Sequence, residues 1–349
     1  MKQTEHLVTV LIPAYNAENY IVEAVGSIQR QTYRNLEILI IDDGSTDRTN
    51  QILHEIRQKD KRIELVVNET NLGIIKTLNK GVDLAKGKYI ARMDSDDIAH
   101  PERIQVQLAM MLKDDNIDLV GCLLKVIDGK GRFLFYSDAF DTEDSFVARF
   151  ISMFESPIAH PGLIAKADVI RKYLYQDFEA YKHVEDFDMF SRMLSDGVNF
   201  KCVNKYLLNY RINLEGVTRQ NADLQRGRTI SILQRNVINY IGVETSPDIY
   251  DIINFYNIDF ITFKSAQNAI KVLNDIELAY EHKYHNKSER IKSWVNQRKL
   301  KIVKALFVRT KSIKAILLMP SIIDILLDHY TYFNIFNTIL RVINSRFER

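Results

Sequence analysis

Through its first 128 residues the chain alternates short runs of Val, Ile and Leu with amphipathic stretches, and this constrains the fold more than any other feature. Strands are expected at 7–13 (LVTVLIP), 36–42 (LEILIID), 62–68 (RIELVVN), 88–93 (KYIARM) and 118–127 (DLVGCLLKVI). Between them, 17–31, 47–59, 73–87 and 101–115 carry apolar residues at helical spacing. Ser45 or Thr46 is placed to cap the second helix, Gly87 to close the third, and Pro101 to open the fourth. Strand–helix alternation with near-continuous apolar strands implies a parallel sheet covered on both faces. Ligands bind such sheets outside the carboxyl ends of the strands.

Those ends hold the chain's most polar motifs. PAYN (13–16) follows the first strand, DDGSTD (42–47) the second, NETNLG (68–73) the third and DSDD (94–97) the fourth. Three carboxylates in four positions repel one another and retain protons unless positive charge lies among them. A divalent cation is the simplest partner, with hard oxygen ligands at i and i+2 and substrate phosphates completing the shell. The alternative for that stretch alone is a solvated turn. No Gly-rich phosphate loop occurs, so any bound nucleotide has its phosphates held by metal and side chains. That excludes most kinases and dehydrogenases.

Beyond residue 128 the alternation fails. DGKGRFLFYSD reads as part of a hairpin, 141–154 and 183–197 as helices (the latter ended by Gly197), and 199–213 as strand. From about 219 the pattern is helical, which sets domains of 1–218 and 219–349. The net charge of +2 gives no global reason to expect nucleic acid, but the charge is uneven. Residues 220–349 hold 19 Lys and Arg against 12 Asp and Glu, a basic surface suited to anions. Cys122 and Cys202 belong to no metal or disulfide pattern and read as buried reduced thiols of a cytoplasmic protein. The N-terminal apolar run stops at Pro13, too short for a signal peptide, and the run 312–327 is interrupted by Lys314, Pro320 and Asp324.

The motifs in this order, from VTVLIPAYN through DDGSTD and ARMDSDDIAHPERI to VEDFDMF, resemble a family 2 glycosyltransferase of the GT-A fold over residues 6–213. The resemblance implies an α/β Rossmann-like, mostly parallel sheet flanked by helices, here with a helical C-terminal extension. It further implies inverting transfer of a hexose or N-acetylhexosamine from a UDP-sugar, with Mn²⁺ or Mg²⁺. Carried over residue by residue, Pro13, Ala14, Tyr15 and Glu18 lie along the nucleotide and Asp43 reads the uracil edge. Asn71, Gly73 and Lys76 close over base and ribose, and Asp94 and Ser95 stand on the nucleotide-sugar side. Asp96 is the direct metal ligand, with Asp94 reaching ribose or a metal-bound water. Asp186 is the catalytic base and Glu185 its neighbour. His160 and Arg211 are expected toward the acceptor, although a lone His is as often a structural hydrogen-bonder. Asn213 stands where the family's YRxH has its His, which puts a third protein ligand to the metal in doubt.

The acceptor expected is a growing surface glycan, free or lipid-linked. Residues 281–320 hold 11 Lys and Arg against 2 acids, with Trp294, Leu300, Ile302, Val303, Leu306 and Phe307 interleaved. Two readings stand: a basic amphipathic helix on the inner, anionic face of the plasma membrane, or a helical bundle with a solvated basic face and a homodimer contact. Rival functions are a degenerate nucleotide-sugar-binding scaffold and a sugar nucleotidyltransferase. The second needs a Gly-rich basic loop after the first strand, and IPAYNAENY lacks one.

Overall fold

A computed structural model describes residues 6–137, 144–212, 222–254 and 261–310. Asn213 and the apolar run 312–327 lie outside the described residues. Two compact units are present, one of residues 1–149 and 156–228, the other of 150–155 and 229–349.

In the first unit β1 (Val8–Ala14), β2 (Leu36–Asp42), β3 (Ile63–Val67) and β4 (Tyr89–Arg92) run parallel in the order β3-β2-β1-β4. They are linked by α1 (Ile21–Gln29), α2 (Thr49–Lys59) and α3 (Ile74–Leu84). A two-residue strand β5 (Ile98–Ala99) and α4 (Arg103–Met111) lead to β6 (Leu119–Asp128) and its hairpin partner β7 (Phe133–Tyr136). Next come α5 (Ser145–Ile151), β8 (Ile164–Lys166), α6 (Ala167–Lys172), α7 (Glu185–Ser195) and β9 (Phe200–Ile212). Among the described residues the sheet has nine strands and is mixed. β8 lies between β4 and β6, antiparallel to both, while β6 and β9 are parallel.

Side-chain alternation along each strand divides the core between the two faces. Val8, Val10, Ile12, Val120 and Cys122 pack under Ile21, Val25 and Ile28 of α1 and Ile104 and Leu108 of α4. Leu11, Leu39, Ile41 and Leu119 pack under Leu78 of α3 and Met189, Phe190 and Met193 of α7. Truncating a side chain as fully enclosed as Phe190 typically costs about 3–5 kcal/mol. A Cβ on Gly81 would sit 2.3 Å from Leu11 Cδ1, so this glycine lets α3 close onto β1.

Two expected caps are corrected. α3 ends at Leu84 with Ala85 in the cap position, and Gly87 is required because a Cβ there would lie 2.5 Å from the Thr9 backbone N. α2 starts at Thr49 with no side-chain cap, because Ser45 and Thr46 instead bond to Asn16. Gly197, with φ +82°, ends α7 as expected.

The second unit contains α8 (Ala222–Ile241), which begins in the first unit, then α9 (Pro247–Ile253), α10 (Phe263–Tyr284) and α11 (Glu289–Thr310). Thr262 caps α10 through a reciprocal pair with Ser265, and His285 in the left-handed region ends it. Trp294 meets Phe150 edge to face and Phe154 at a tilt, its Nε1–H donates to Glu155, and Arg298 covers its ring while pairing with the same carboxylate. Trp294, Ile302, Val303, Leu306 and Phe307 are buried, so most of the apolar stripe of α11 packs within this unit. Both cysteines are buried thiols outside any disulfide. Among the described residues no helix is long and apolar enough to cross a membrane.

Candidate active site

The loops after β1, β2 and β3 are bonded into one rim. Asn16, at φ +48°, accepts from Thr46 N–H and donates its own N–H to Ser45. Glu18 donates its N–H to Asp47 and takes the Arg48 guanidinium on its carboxylate. Asp43 is buried and accepts from Asn68 Nδ2 (2.8 Å), Leu72 N (2.9 Å) and Gly73 N (2.9 Å). It thereby holds the segment of Asn71 and Gly73 against the end of β2. Gly44, at φ +70°, passes so close to Thr70 that a Cβ would lie 2.6 Å from a backbone carbon. Pro13 and Ala14 are buried at the end of β1, while the Tyr15 ring is 48% exposed over this rim. Lys76 is exposed on α3 and pairs with Asp177 at 3.5 Å.

The positive group among the acidic residues is Arg92, the last residue of β4. Its guanidinium is buried and grips Asp94 at two points, Nη1–Oδ2 2.6 Å and Nη2–Oδ1 2.5 Å. Burial works against this charge, but Asp94, Tyr175 and Asp97 outweigh it and hold Arg92 above its ordinary range. Beneath it Arg103, fully buried, donates to the backbone carbonyls of Arg92 and Leu163, and Gln107 donates to those of Val120 and Gly162.

Arg92, with Arg211 also acting on Asp96, does not balance the cluster. Burial and the charge of Asp94 push Asp96 up to about 6. Burial, then Asp94 and Asp96, pushes Asp97 well above the carboxylate range. Asp97 Oδ1 accepts Arg211 N–H at 2.9 Å, and its Oδ2 is buried without a partner. This surplus of negative charge on hard oxygens suits a divalent cation. Among the described residues no three His, Cys, Asp or Glu groups are close enough to form a metal site by themselves. A cation here therefore needs ligand oxygens in addition to the carboxylates of the Asp94–Asp97 turn.

The N-terminus of α7 brings Glu185 and Asp186 to the same charge. Burial, then the adjacent Asp186 charge, pushes Glu185 up to about 7, and its Oε2 lacks a partner. Burial also raises Asp186, whose side chain stays 32% exposed. Arg92 acts on both carboxyls, tying them electrostatically to the Asp94 cluster. His160 lies with Nδ1 4.0 Å from Asp186 Oδ2, and its Nε2 meets the Tyr175 hydroxyl at 2.7 Å. Burial, reinforced by Arg92, holds His160 neutral, so it orients rather than charges its neighbours.

Arg211 is placed away from open solvent. Its Nε donates to the Asp96 carbonyl (2.8 Å), Nη1 to the carbonyls of Asp128 and Gly129, and Nη2 to Glu23, while the guanidinium covers the Tyr20 ring. It fastens the Asp96 turn to the tip of the β6–β7 hairpin. Ser95 is half-buried within that turn. Sequence reasoning missed Arg92, Arg103 and Tyr175. For Arg92 the signal was a lone cation ending an otherwise apolar strand directly before the acids.

Comparison with known proteins bears on the family and the fold. A family model described as Glycosyl transferase family 2 matches residues 9–178. An uncharacterized glycosyltransferase of Haemophilus influenzae is 34% identical over 267 residues, covering 72% of this chain and 81% of that protein. The S. aureus TarS structure in complex with UDP-GlcNAc is similar with TM-score 0.55 at 18% identity, covering 87% of this chain and 92% of that one. A Pyrobaculum calidifontis mannosyltransferase in complex with GDP-Man and Mn²⁺ gives TM-score 0.51 at 15% identity, covering 97% and 85%. At these identities the two structures speak for the fold, which is the expected α/β GT-A arrangement with C-terminal helices.

Proposed function

The chain belongs to glycosyl transferase family 2, and from that premise we propose an inverting transfer of a hexose or N-acetylhexosamine from a UDP-sugar to a hydroxyl of a growing surface glycan. The observation that supports it best is the convergence of the Asp94–Asp97 turn and the Glu185–Asp186 pair on one buried cation, Arg92. Inversion needs a base on the face of the sugar opposite the leaving group. Asp186 is the accessible member of the raised pair and takes the acceptor proton. Glu185 shares the charge, and neutral His160, braced by Tyr175, stands beside Asp186 at 4.0 Å.

On the donor side, the rim held by Asp43 presents Tyr15, Asn71, Gly73 and Lys76 to the nucleotide. Asp94, fixed by Arg92, keeps lone pairs for a ribose hydroxyl or a water. Asp96 would hold a divalent cation, Mn²⁺ or Mg²⁺, which when bound would supply positive charge toward a departing diphosphate. The solved relatives bound to UDP-GlcNAc and to GDP-Man with Mn²⁺ support a nucleotide-sugar donor and metal use. The test is a panel of UDP-, GDP- and dTDP-sugars, followed by thermal shift and donor hydrolysis with and without Mn²⁺. Metal-dependent turnover of a UDP-sugar is expected, and preference for a GDP-sugar would replace the uridine assignment. Nucleotide binding without turnover of any donor would favour the degenerate scaffold.

A further inference from the structure

The β6–β7 hairpin exposes an apolar surface that the donor site does not use. Phe133, Leu134, Phe135 and Tyr136 make up all of β7, and each is about half exposed (49, 47, 51 and 52%). Four consecutive exposed apolar residues on a sheet edge are costly in water and mark a surface that binds something. Three rings form a row, with Phe133 and Tyr136 centroids 4.9 Å apart and Tyr136 and Tyr206 4.4 Å apart. Lys125 Nζ stands 5.6 Å from the Phe133 ring centre.

Sheet register locates the row. Tyr136 pairs with Lys125, Phe133 with Ile127, and Tyr206 with Leu123. Odd-numbered β6 residues share one face, and Leu119 on that face packs with Met189 and Phe190 of α7. The row is therefore on the α7 side of the sheet, the side of Asp186. β9 pairs with β6 along the whole strand, so β7, like β8, takes the other edge, toward β4. Through β8, Ala91 is level with Val120, which brings Asp94 level with Leu123. Lys125 and Tyr136 lie two residues further, roughly 7 Å along the strand. Arg211 fastens the tip of this hairpin to the Asp96 carbonyl.

We propose that Phe133, Tyr136 and Tyr206, with Lys125, form the acceptor-saccharide platform, on which pyranose rings stack their C–H faces as the terminal hydroxyl reaches Asp186. The inference rests on the glycosyl-transfer reading above. A saccharide fits this surface better than a second apolar protein face does. Two of the three rings carry hydroxyls and a lysine adds a donor, so apolar faces and polar tips alternate as on a sugar. The row is also on the same side of the sheet as α7, the helix that carries Asp186.

The test uses the full chain and four probes: chitotetraose, cellotetraose, maltotetraose and a chondroitin tetrasaccharide, titrated calorimetrically with UDP present. Wild type should bind at least one, and Phe133→Ser or Tyr136→Ser should weaken that binding about tenfold. Phe135→Ser is the control. Phe135 is equally exposed but pairs with Val126, whose side chain is on the opposite face, so binding should be unchanged. UDP affinity and sedimentation should be the same in all variants. Failure of wild type to bind any probe, or equal effects of Phe135→Ser and Tyr136→Ser, overturns the proposal. It is also overturned if Tyr136→Ser instead dissolves a dimer or abolishes pelleting with phosphatidylglycerol vesicles. Absence of UDP binding in wild type would count against the donor reading and leave the saccharide titration to decide this one.

Discussion

Arg92 and Asp94, two residues apart at the end of β4, form a two-point ion pair of 2.6 and 2.5 Å with the guanidinium buried and the carboxylate at the surface of the crevice. Planar, two-point pairing fixes direction as well as charge. The Arg92 charge also bears on Asp96, Asp97, Glu185 and Asp186, so one side chain acts on both the turn after β4 and the start of α7. Replacing Asp94 with Asn leaves the buried charge uncompensated. We expect a loss of about 1.5–3 kcal/mol in stability and a lower thermal midpoint at low salt. Arg92→Lys, which keeps the charge and loses the fork, should retain the fold but lose transfer activity. An unchanged melt for Asp94→Asn would show that the pair is not held as described.

Acidity follows from the α7 pair. Glu185 is pushed up to about 7 and Asp186 is also raised, so lowering the pH protonates the pair before ordinary carboxylates. A base must be deprotonated to act, and burial raises Asp186, so kcat should fall as the pH drops while still above the ordinary carboxylate range. Glu185→Gln removes the neighbouring charge and should move that limb to lower pH. A profile flat from pH 8 to 5.5, measured by UDP release, would contradict the assignment.

The loop contacts predict a coupling between two motifs far apart in sequence. Gly44→Ala adds a Cβ at φ +70° directly against the Thr70 backbone. The strain should cost about 1–3 kcal/mol and displace the segment that Asp43 holds. UDP affinity should therefore fall in calorimetry, while the far-ultraviolet circular dichroism stays that of the wild type.

Tyr175→Phe tests the brace behind the base. The hydroxyl is the partner of buried, neutral His160 Nε2. Its loss should destabilise the chain by about 1–3 kcal/mol and lower kcat more than donor KM. Equal falls in both, or no fall, would remove the positioning role.

Much of this site was legible because strand ends in parallel sheets gather ligands, and PAYN, DDGSTD, NETNLG and DSDD each follow an apolar run. What could not be read depends on contacts between distant segments. Arg92 looked like the end of a strand, and its partners in α7 are more than ninety positions away. β8 has only three residues, IAK, too short for any periodicity, yet it lies between β4 and β6 and makes the sheet mixed. The chain also folds 150–155 into the second unit, through Phe150 and Phe154 against Trp294, where a sequence boundary near 218 has no means to foresee it.

The central claim is that Asp186 takes the acceptor proton beside a donor held by separate residues. Asp186→Asn preserves shape and removes the base. With the preferred UDP-sugar and a competent acceptor, transfer should fall by about 10²–10⁴-fold, while calorimetric UDP affinity stays within a few-fold of wild type. Transfer at the wild-type rate in this variant, or loss of UDP binding along with it, would contradict the account.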